Sequence, residues 1–261
     1  MDKLQVELLA SAHRLQKIVH TIGANYPLAR YCVNIGAGDG IGLDLVHPLF
    51  LEDGFAGVAI EGNPETFNSL CNNLPAAVKK LNKFVDPYSI LSMLNDTGVP
   101  HHLDLVDIDI DGFDYFIAQK IFCLEPKVIS MELHEDVPPG IKFACLYDPN
   151  YVYGKGVPWG CSIDMVVSLG KKHGYQMIMM DWNSIFLVHG KYTHLFEIPV
   201  STREAYRLGY YERPHREELF YWKTVNNNLF ELSTEAAYQK LLTDWAPNLD
   251  KIVFELTQEI L

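Results

Sequence analysis

Residues 104–114 read DLVDIDIDGFD, five aspartates in eleven positions. Carboxylates at this density can hold a hard cation, position or move protons in a reaction, or simply face water. Asp107, Asp109, Asp111 and Gly112 copy the opening of a calcium loop of the D-x-D-x-D-G type. Such a loop needs a bidentate Glu at its twelfth position, which here is Ala118, and Ile108 and Ile110 suit an interior rather than a solvated loop. The alternation instead predicts a strand over Leu105–Asp111, with the three aspartates on one side and Val106, Ile108 and Ile110 on the other. Val128–His134 repeats the pattern, Ser130, Glu132 and His134 sharing a side. Adjacent strands of this kind would gather several carboxylates and an imidazole. His134 is the candidate general base, since its ordinary pKa lies near neutrality and a carboxylate such as Glu132 could orient it toward a hydroxyl. The alternative is a histidine that only makes structural hydrogen bonds. Asp107, Asp109, Glu132 and His134 also suit a divalent ion chemically, although no metal is assigned. Asp111 and Asp114 are expected to shape the turn and cap a helix starting near Phe113.

A second constellation lies upstream. In NIGAGDGIG the glycines fall at 36, 38, 40 and 42, directly after a predicted strand in YCVNIG. A dinucleotide fingerprint Gly-x-Gly-x-x-Gly fails in both registers, whose last positions are Ile41 and Leu43. Gly-x-Gly-x-Gly does fit, with Gly36, Gly38 and Gly40, and this is the usual loop of S-adenosylmethionine-dependent methyltransferases. Glu61 follows roughly twenty residues later at the end of a second strand, where an acid can accept hydrogen bonds from both ribose hydroxyls. Ordinary turn glycines are the competing reading.

These groups must be positioned by a scaffold. Short apolar strands are predicted at YCVNI, GVAIEGN, Asn82–Val85, Leu105–Asp111, Val128–His134, Tyr175–Met180 and Ile185–His189. Helical patterns cover the N-terminus, a segment within GLDLVHPLFLEDGF, Glu65 through Lys80, and Ser162–His173. Strands alternating with helices imply an α/β doubly wound, mostly parallel seven-stranded sheet. Asp181–Ser184 is too short for a crossover, so the last strand should run antiparallel. The predicted organisation is an N-terminal helix over 1–24, a sheet domain over 25–198 and a helical C-terminal extension over 199–261. The extension is read as packing on the sheet domain, with a homodimer surface or a substrate lid as alternatives. Between the fifth strand and Ser162 lies a segment of nearly thirty residues, expected to be an acceptor lid carrying Tyr147, Tyr151, Tyr153 and Trp159.

VNIGAGDG, GVAIEGNPETFNSLCNN, DLVDIDIDGFDYF and KVISMELH, in this order and spacing, resemble the FkbM-type methyltransferases over about residues 30–135. The resemblance implies a Rossmann-like class I methyltransferase fold, S-adenosylmethionine as methyl donor, and transfer to a hydroxyl of a small molecule. It implies that Gly36, Gly38 and Gly40 wrap the cofactor, that Glu61 holds its ribose and that Asn63 supports that turn. It also implies that Asp109 contacts cofactor and reacting centre. Asp86 is a candidate for the adenine amino group, or equally a turn former before Pro87. The first strand of the family often ends in an acid before the loop; here Asn34 stands there, able to hold the methionine portion but bringing no charge to its ammonium.

A formal charge of -12 and no run of Lys/Arg argue against broad capture of nucleic acid or an anionic membrane, leaving a small molecule as the expected partner. Five scattered cysteines without a C-x-x-C pair read as reduced thiols of a cytoplasmic protein. Nothing in the sequence is long and apolar enough for a spanning helix. Two other readings stay open: a nucleotide-dependent oxidoreductase on a related fold, and a non-catalytic ligand-binding protein that keeps the fold.

Overall fold

The computed structural model describes residues 3–42, 44–154, 156–220 and 228–257. Of the predicted spans, positions 1, 2, 43, 155, 221–227 and 258–261 lie outside the described residues. Seven strands form one sheet in the order β3-β2-β1-β4-β5-β8-β7, and two more, β6 and β9, form a second. The chain divides into two compact units: Met1–Asp109 with Ile117–Met131 and Val188–Phe196, and Ile110–Phe116 with Glu132–Leu187 and Glu197–Leu261.

The first unit begins with helix α1 (Lys3–Gly23), whose Ala12, Leu15, Ile18, Val19 and Ile22 recur at helical spacing and are buried. Strands β1 (Tyr31–Ile35), β2 (Ala56–Glu61), β4 (Leu105–Ile108) and β5 (Val128–Glu132) are nearly continuous apolar runs, as expected where helices cover both faces of a parallel sheet. β1 pairs in parallel with both β2 and β4, and β4 with β5. Gly57 of β2 admits this approach: a Cβ there would lie 2.1 Å from the Cys32 carbonyl oxygen. At the amino end of the sheet, Asp104 accepts from the Ala29 and Tyr31 N–H groups and from Lys127 Nζ at 2.8 Å, a buried ion pair that ties three strand starts together.

Several predicted boundaries move. Helix α3 (Pro64–Asn73) stops before Pro75 instead of reaching Lys80, and Lys79 and Lys80 belong to strand β3 (Val78–Asn82) rather than to the helix. β3 is an edge strand with exposed or half-buried residues, so it lacks the apolar signature of its neighbours. Among the described residues after the glycine turn, the helix is confined to His47–Leu51 (α2), where Pro48 sets its start, and Asp44–Val46 are not helical. Helix α4 (Ile90–Thr97) ends at Gly98 in the left-handed conformation. β4 stops at Ile108, and Asp111 adopts φ 53°, so the shared-face alternation predicted through Asp111 is broken by a turn. β5 likewise ends at Glu132, two residues short of His134.

The second unit contains α6 (Ile163–Lys172) with Ser162 as N-cap, the strand β7 (Tyr175–Asp181) and, in part, α5 (Asp114–Ile121) and β8 (Ser184–His189). Only Trp182 and Asn183 join the last two, and a two-residue connection between neighbouring strands makes them antiparallel, as predicted. The long segment expected to be a loop instead holds strand β6 (Ile141–Cys145), antiparallel to β9 (Ile252–Leu256). Among the described residues the C-terminal part is thus helical in α7 (Thr202–Tyr206), α8 (Arg216–Leu219) and α9 (Thr234–Asp244), and its last described element is a strand. Val137, Ile141, Phe143, Leu229, Ala237, Leu241 and Ile252 form a core under it, with Tyr238, Trp245 and Phe254 packed alongside. All five cysteines are free thiols. Among the described residues no helix is long and apolar enough to cross a membrane.

Candidate functional site

The strand order reverses direction between β1 and β4, and ligands of open α/β sheets bind outside the carboxyl ends of strands at such a switch point. The glycine turn leaves β1 at this place. Gly36, Gly38 and Gly40 all have positive φ (89°, 52° and 78°), a region that costs other L-residues energy. The turn is pinned to β2 by the Gly36 and Ala37 N–H groups, which donate to the Ile60 carbonyl. Gly40 also packs too closely for a side chain, since a Cβ would meet Leu70 and Leu74 carbons at 2.8 Å. Around Gly38, by contrast, a Cβ would have nothing within 4 Å, so its backbone borders open space.

Glu61 ends β2 against this turn. Its Oε2 accepts from the Gly38 N–H at 2.9 Å and its Oε1 from the Asn63 N–H at 2.6 Å. Both carboxylate oxygens are therefore held beside the open side of the glycine turn. Asn63 is the N-cap of α3, with Oδ1 accepting from the Glu65 and Thr66 N–H groups, which sets the entry angle of that helix. Asp86 makes a turn: its carboxylate accepts from the Tyr88 and Ser89 N–H groups and from the Ser89 hydroxyl, and the hydroxyl bond foremost lowers its pKa. That is the turn-forming alternative of the two readings for Asp86.

Asn34 is 1 % exposed on β1 and its Nδ2 donates to Asp44 Oδ2 at 2.9 Å. Asp44 Oδ1 accepts from the Val46 N–H at 2.6 Å. Burial, with Asp107 adding repulsion, pushes the Asp44 carboxyl up to about 7 against the pull of the Val46 and His47 amides. The register places Asn34 opposite Asp107 on β4, and Asp107 opposite Ser130 on β5, one row of buried polar groups across three strands. Asp109 lies just past β4, where its N–H still donates to the Ile35 carbonyl.

The second unit holds the other predicted groups. Glu132 Oε1 accepts from Asn183 Nδ2 at 2.8 Å, and a carboxylate oxygen of Glu132 lies within 4.8 Å of one from Asp111. His134 is buried in an aromatic layer, stacked on Trp159 at 4.8 Å and 11°, edge-on to Phe143 and tilted against Trp245. Of the four residues suggested as ligands for a divalent ion, Asp107 and His134 belong to no group of three metal-capable side chains among the described residues. Asp114 is wholly buried and accepts from the Ile110 and Gly112 N–H groups, so it shapes the turn that leads into α5. Burial raises its carboxyl to about 6. Of the predicted lid aromatics, Tyr151 donates its hydroxyl to the Asp111 carbonyl at 3.0 Å, Tyr147 packs edge-on to Phe113, and Tyr153 sits beside Trp159.

Two residues beside the glycine turn escaped the sequence reading. One is Asp44, whose only signal was an Asp in a short apolar stretch. The other is Phe84, an 81 % exposed aromatic whose ring carbons lie where a Cβ on Gly62 would come within 2.5 Å. A lone exposed ring lying against the backbone just after Glu61 can stack on a planar heterocycle.

The fold is a Rossmann-like, mostly parallel seven-stranded sheet. No protein-family model matches the chain, and neither does any curated protein. Solved structures do. TYW2 of M. jannaschii in complex with AdoMet is similar at 14% identity, over 72% of this chain and 74% of that one, with a TM-score of 0.36. The N-terminal domain of EvdMO1, solved in the presence of SAH and D-fucose, is similar at 13% identity over 69% and 82%, with a TM-score of 0.42. The glycopeptide N-methyltransferase MtfA, complexed with S-adenosyl-L-methionine, is similar at 11% identity over 68% and 92%, with a TM-score of 0.39.

Proposed function

We propose that the protein is an S-adenosylmethionine-dependent methyltransferase acting on a small molecule, with a hydroxyl as the acceptor group. The observation that carries this reading is Glu61, whose two carboxylate oxygens close a Gly-x-Gly-x-Gly turn at the carboxyl end of β2, beside the β1/β4 switch point. The residues present fit the cofactor. The open space at Gly38 admits a ribose, Glu61 offers it two acceptors, and Phe84 offers a face for an adenine. Among the described residues, Asn34 Oδ1 is a buried acceptor with no hydrogen-bond partner.

When bound, the cofactor supplies an electrophilic methyl on a sulfonium sulfur. The work of the protein is then alignment, and proximity accounts for much of the acceleration in such transfers. Gly36, Gly38 and Gly40 let the backbone approach, Glu61 and Asn63 fix the ribose turn, and Asp109 orients the donor end. In the second unit His134 is the proposed general base, with Glu132 the carboxylate proposed to orient it, and Tyr147, Tyr151, Tyr153 and Trp159 are the proposed aromatics for the acceptor.

The test is binding followed by turnover. S-Adenosylmethionine and S-adenosylhomocysteine should each raise the thermal midpoint, and radiolabelled methyl should appear in a small-molecule fraction when the protein is incubated with hydroxylated metabolite pools. No midpoint shift with either ligand would reject the proposal. A fluorescence change of NAD(P)H on mixing would favour an oxidoreductase instead.

A further inference from the structure

The interior beside the glycine turn is rich in acceptors. Among the described residues, Asn34 Oδ1 and Ser130 Oγ are buried with no hydrogen-bond partner, and both flank Asp107 in the row that crosses β1, β4 and β5. Asp44 is itself only 8 % exposed. With Asp44 ionised, it sets the orientation of the Asn34 amide, because only the Nδ2 end can donate to a carboxylate. Its oxygen is thereby left facing elsewhere. A buried acceptor without a donor and a buried carboxylate without a counter-charge are both unfavourable, and one cationic donor relieves both.

We propose that Asp44, together with Asn34 Oδ1, seats the α-ammonium of the cofactor's methionine portion, supplying from the segment after the glycine turn the charge that Asn34 cannot. The inference rests on the methyltransferase reading and names the residue that gives that site its charge. An ammonium has three donors and no acceptor, so an amide oxygen and a carboxylate already joined by a hydrogen bond present it with two acceptors at once. The charged groups facing Asp44 are Asp107 and Asp39, which raise its carboxyl, while the Val46 and His47 amides lower it. His47 Nδ1 bonds the Asp44 carbonyl rather than its carboxylate. An incoming cation favours the ionised form of Asp44, so binding of an ammonium-bearing ligand should weaken as pH falls through neutrality.

The experiment uses isothermal calorimetry with two probes that share adenosine and a thioether. S-Adenosylhomocysteine carries the ammonium, and 5′-methylthioadenosine does not. Asp44→Asn should weaken S-adenosylhomocysteine about tenfold or more, the loss of a charge-assisted contact, and leave 5′-methylthioadenosine unchanged. Moving the charge back, in the double variant Asn34→Asp/Asp44→Asn, should restore most of the lost affinity. In the wild-type chain, S-adenosylhomocysteine should bind more weakly at pH 6 than at pH 8, with 5′-methylthioadenosine insensitive; this arm needs no variant to fold. Equal losses for both probes, no loss, no rescue by the double variant, or a pH-independent ratio of the two affinities would overturn the assignment of Asp44. If the wild-type chain binds neither probe, the methyltransferase reading itself has failed, an outcome distinct from wild-type binding that Asp44→Asn leaves intact.

Discussion

Replacing Glu61 separates a ligand-binding carboxylate from a merely structural one. Its oxygens accept from the Gly38 and Asn63 N–H groups at 2.9 and 2.6 Å, and in the proposed complex both would accept from ribose hydroxyls. Hydrogen bonds to a charged acceptor contribute about 1.5–3 kcal/mol each, and at this half-buried position the lower end applies. Glu61→Ala removes both, about 3 kcal/mol, which corresponds to a loss of about a hundredfold in affinity. Glu61→Gln keeps one acceptor oxygen and should lose about tenfold. Calorimetric titration with S-adenosylhomocysteine measures both. The unliganded variants should fold, because the two amides left by Glu61→Ala lie near solvent; the thermal midpoint should fall by a few degrees, at roughly 2–4 °C per kcal/mol for a chain of this size. An affinity in Glu61→Ala within about threefold of wild type, well under 1 kcal/mol, would refute the ribose assignment even if the cofactor still binds.

Three further outcomes follow from the same geometry. Gly40→Ala combines a left-handed backbone with contacts of 2.8 Å to Leu70 and Leu74, and should destabilise by about 2 kcal/mol or more, read by urea denaturation; an unchanged midpoint would show that the turn relaxes freely. Lys127→Ala leaves the fully buried Asp104 carboxylate without its cation and should cost about 3–5 kcal/mol, whereas a loss below 1 kcal/mol would mean that water replaces the ammonium. The carboxyls of Asp44 and Asp114 sit at about 7 and about 6 in the folded chain, against 3.8 ordinarily. Between pH 4 and these values the folded state holds protons that the unfolded state has released. Stability therefore falls as pH rises through this window, by about 1.4 kcal/mol per pH unit for each group, and denaturation series at pH 5, 6 and 7 should show the slope shrinking in Asp44→Asn. A slope that is equal in wild type and variant would refute burial of an uncharged Asp44.

The parts of the fold legible in the sequence are those whose signal is local. β1, β2, β4 and β5 announce themselves because strands covered on both faces are largely apolar, and the glycine turn because three alternate positive-φ positions favour glycine. Glu61 follows from its place at the end of β2. The edge strand β3 lies at Val78–Asn82 rather than at the expected Asn82–Val85, because its Lys79 and Lys80 lack the apolar signature of the inner strands and extend the helical pattern of α3 in the sequence. β6 and β9 were missed because each is stabilised by the other, far away in the chain, and neither has a pattern that survives in isolation.

The acidic stretch that suggested a calcium loop shows the division most plainly. Alternation with isoleucines is enough to make Leu105–Ile108 an interior strand and to discard the calcium reading. Where that strand ends depends on Asp114 accepting the Ile110 and Gly112 amides and on Asp111 turning left-handed, which assigns Asp107 to the buried row and frees Asp109 and Asp111 from it. The sequence by itself therefore determined the sheet, the glycine turn and the acid that faces it, since each is written in the spacing of neighbouring residues. Only the tertiary structure brought Asp44 onto Asn34 and Phe84 onto Gly62, because the path of an irregular loop is set by what it packs against.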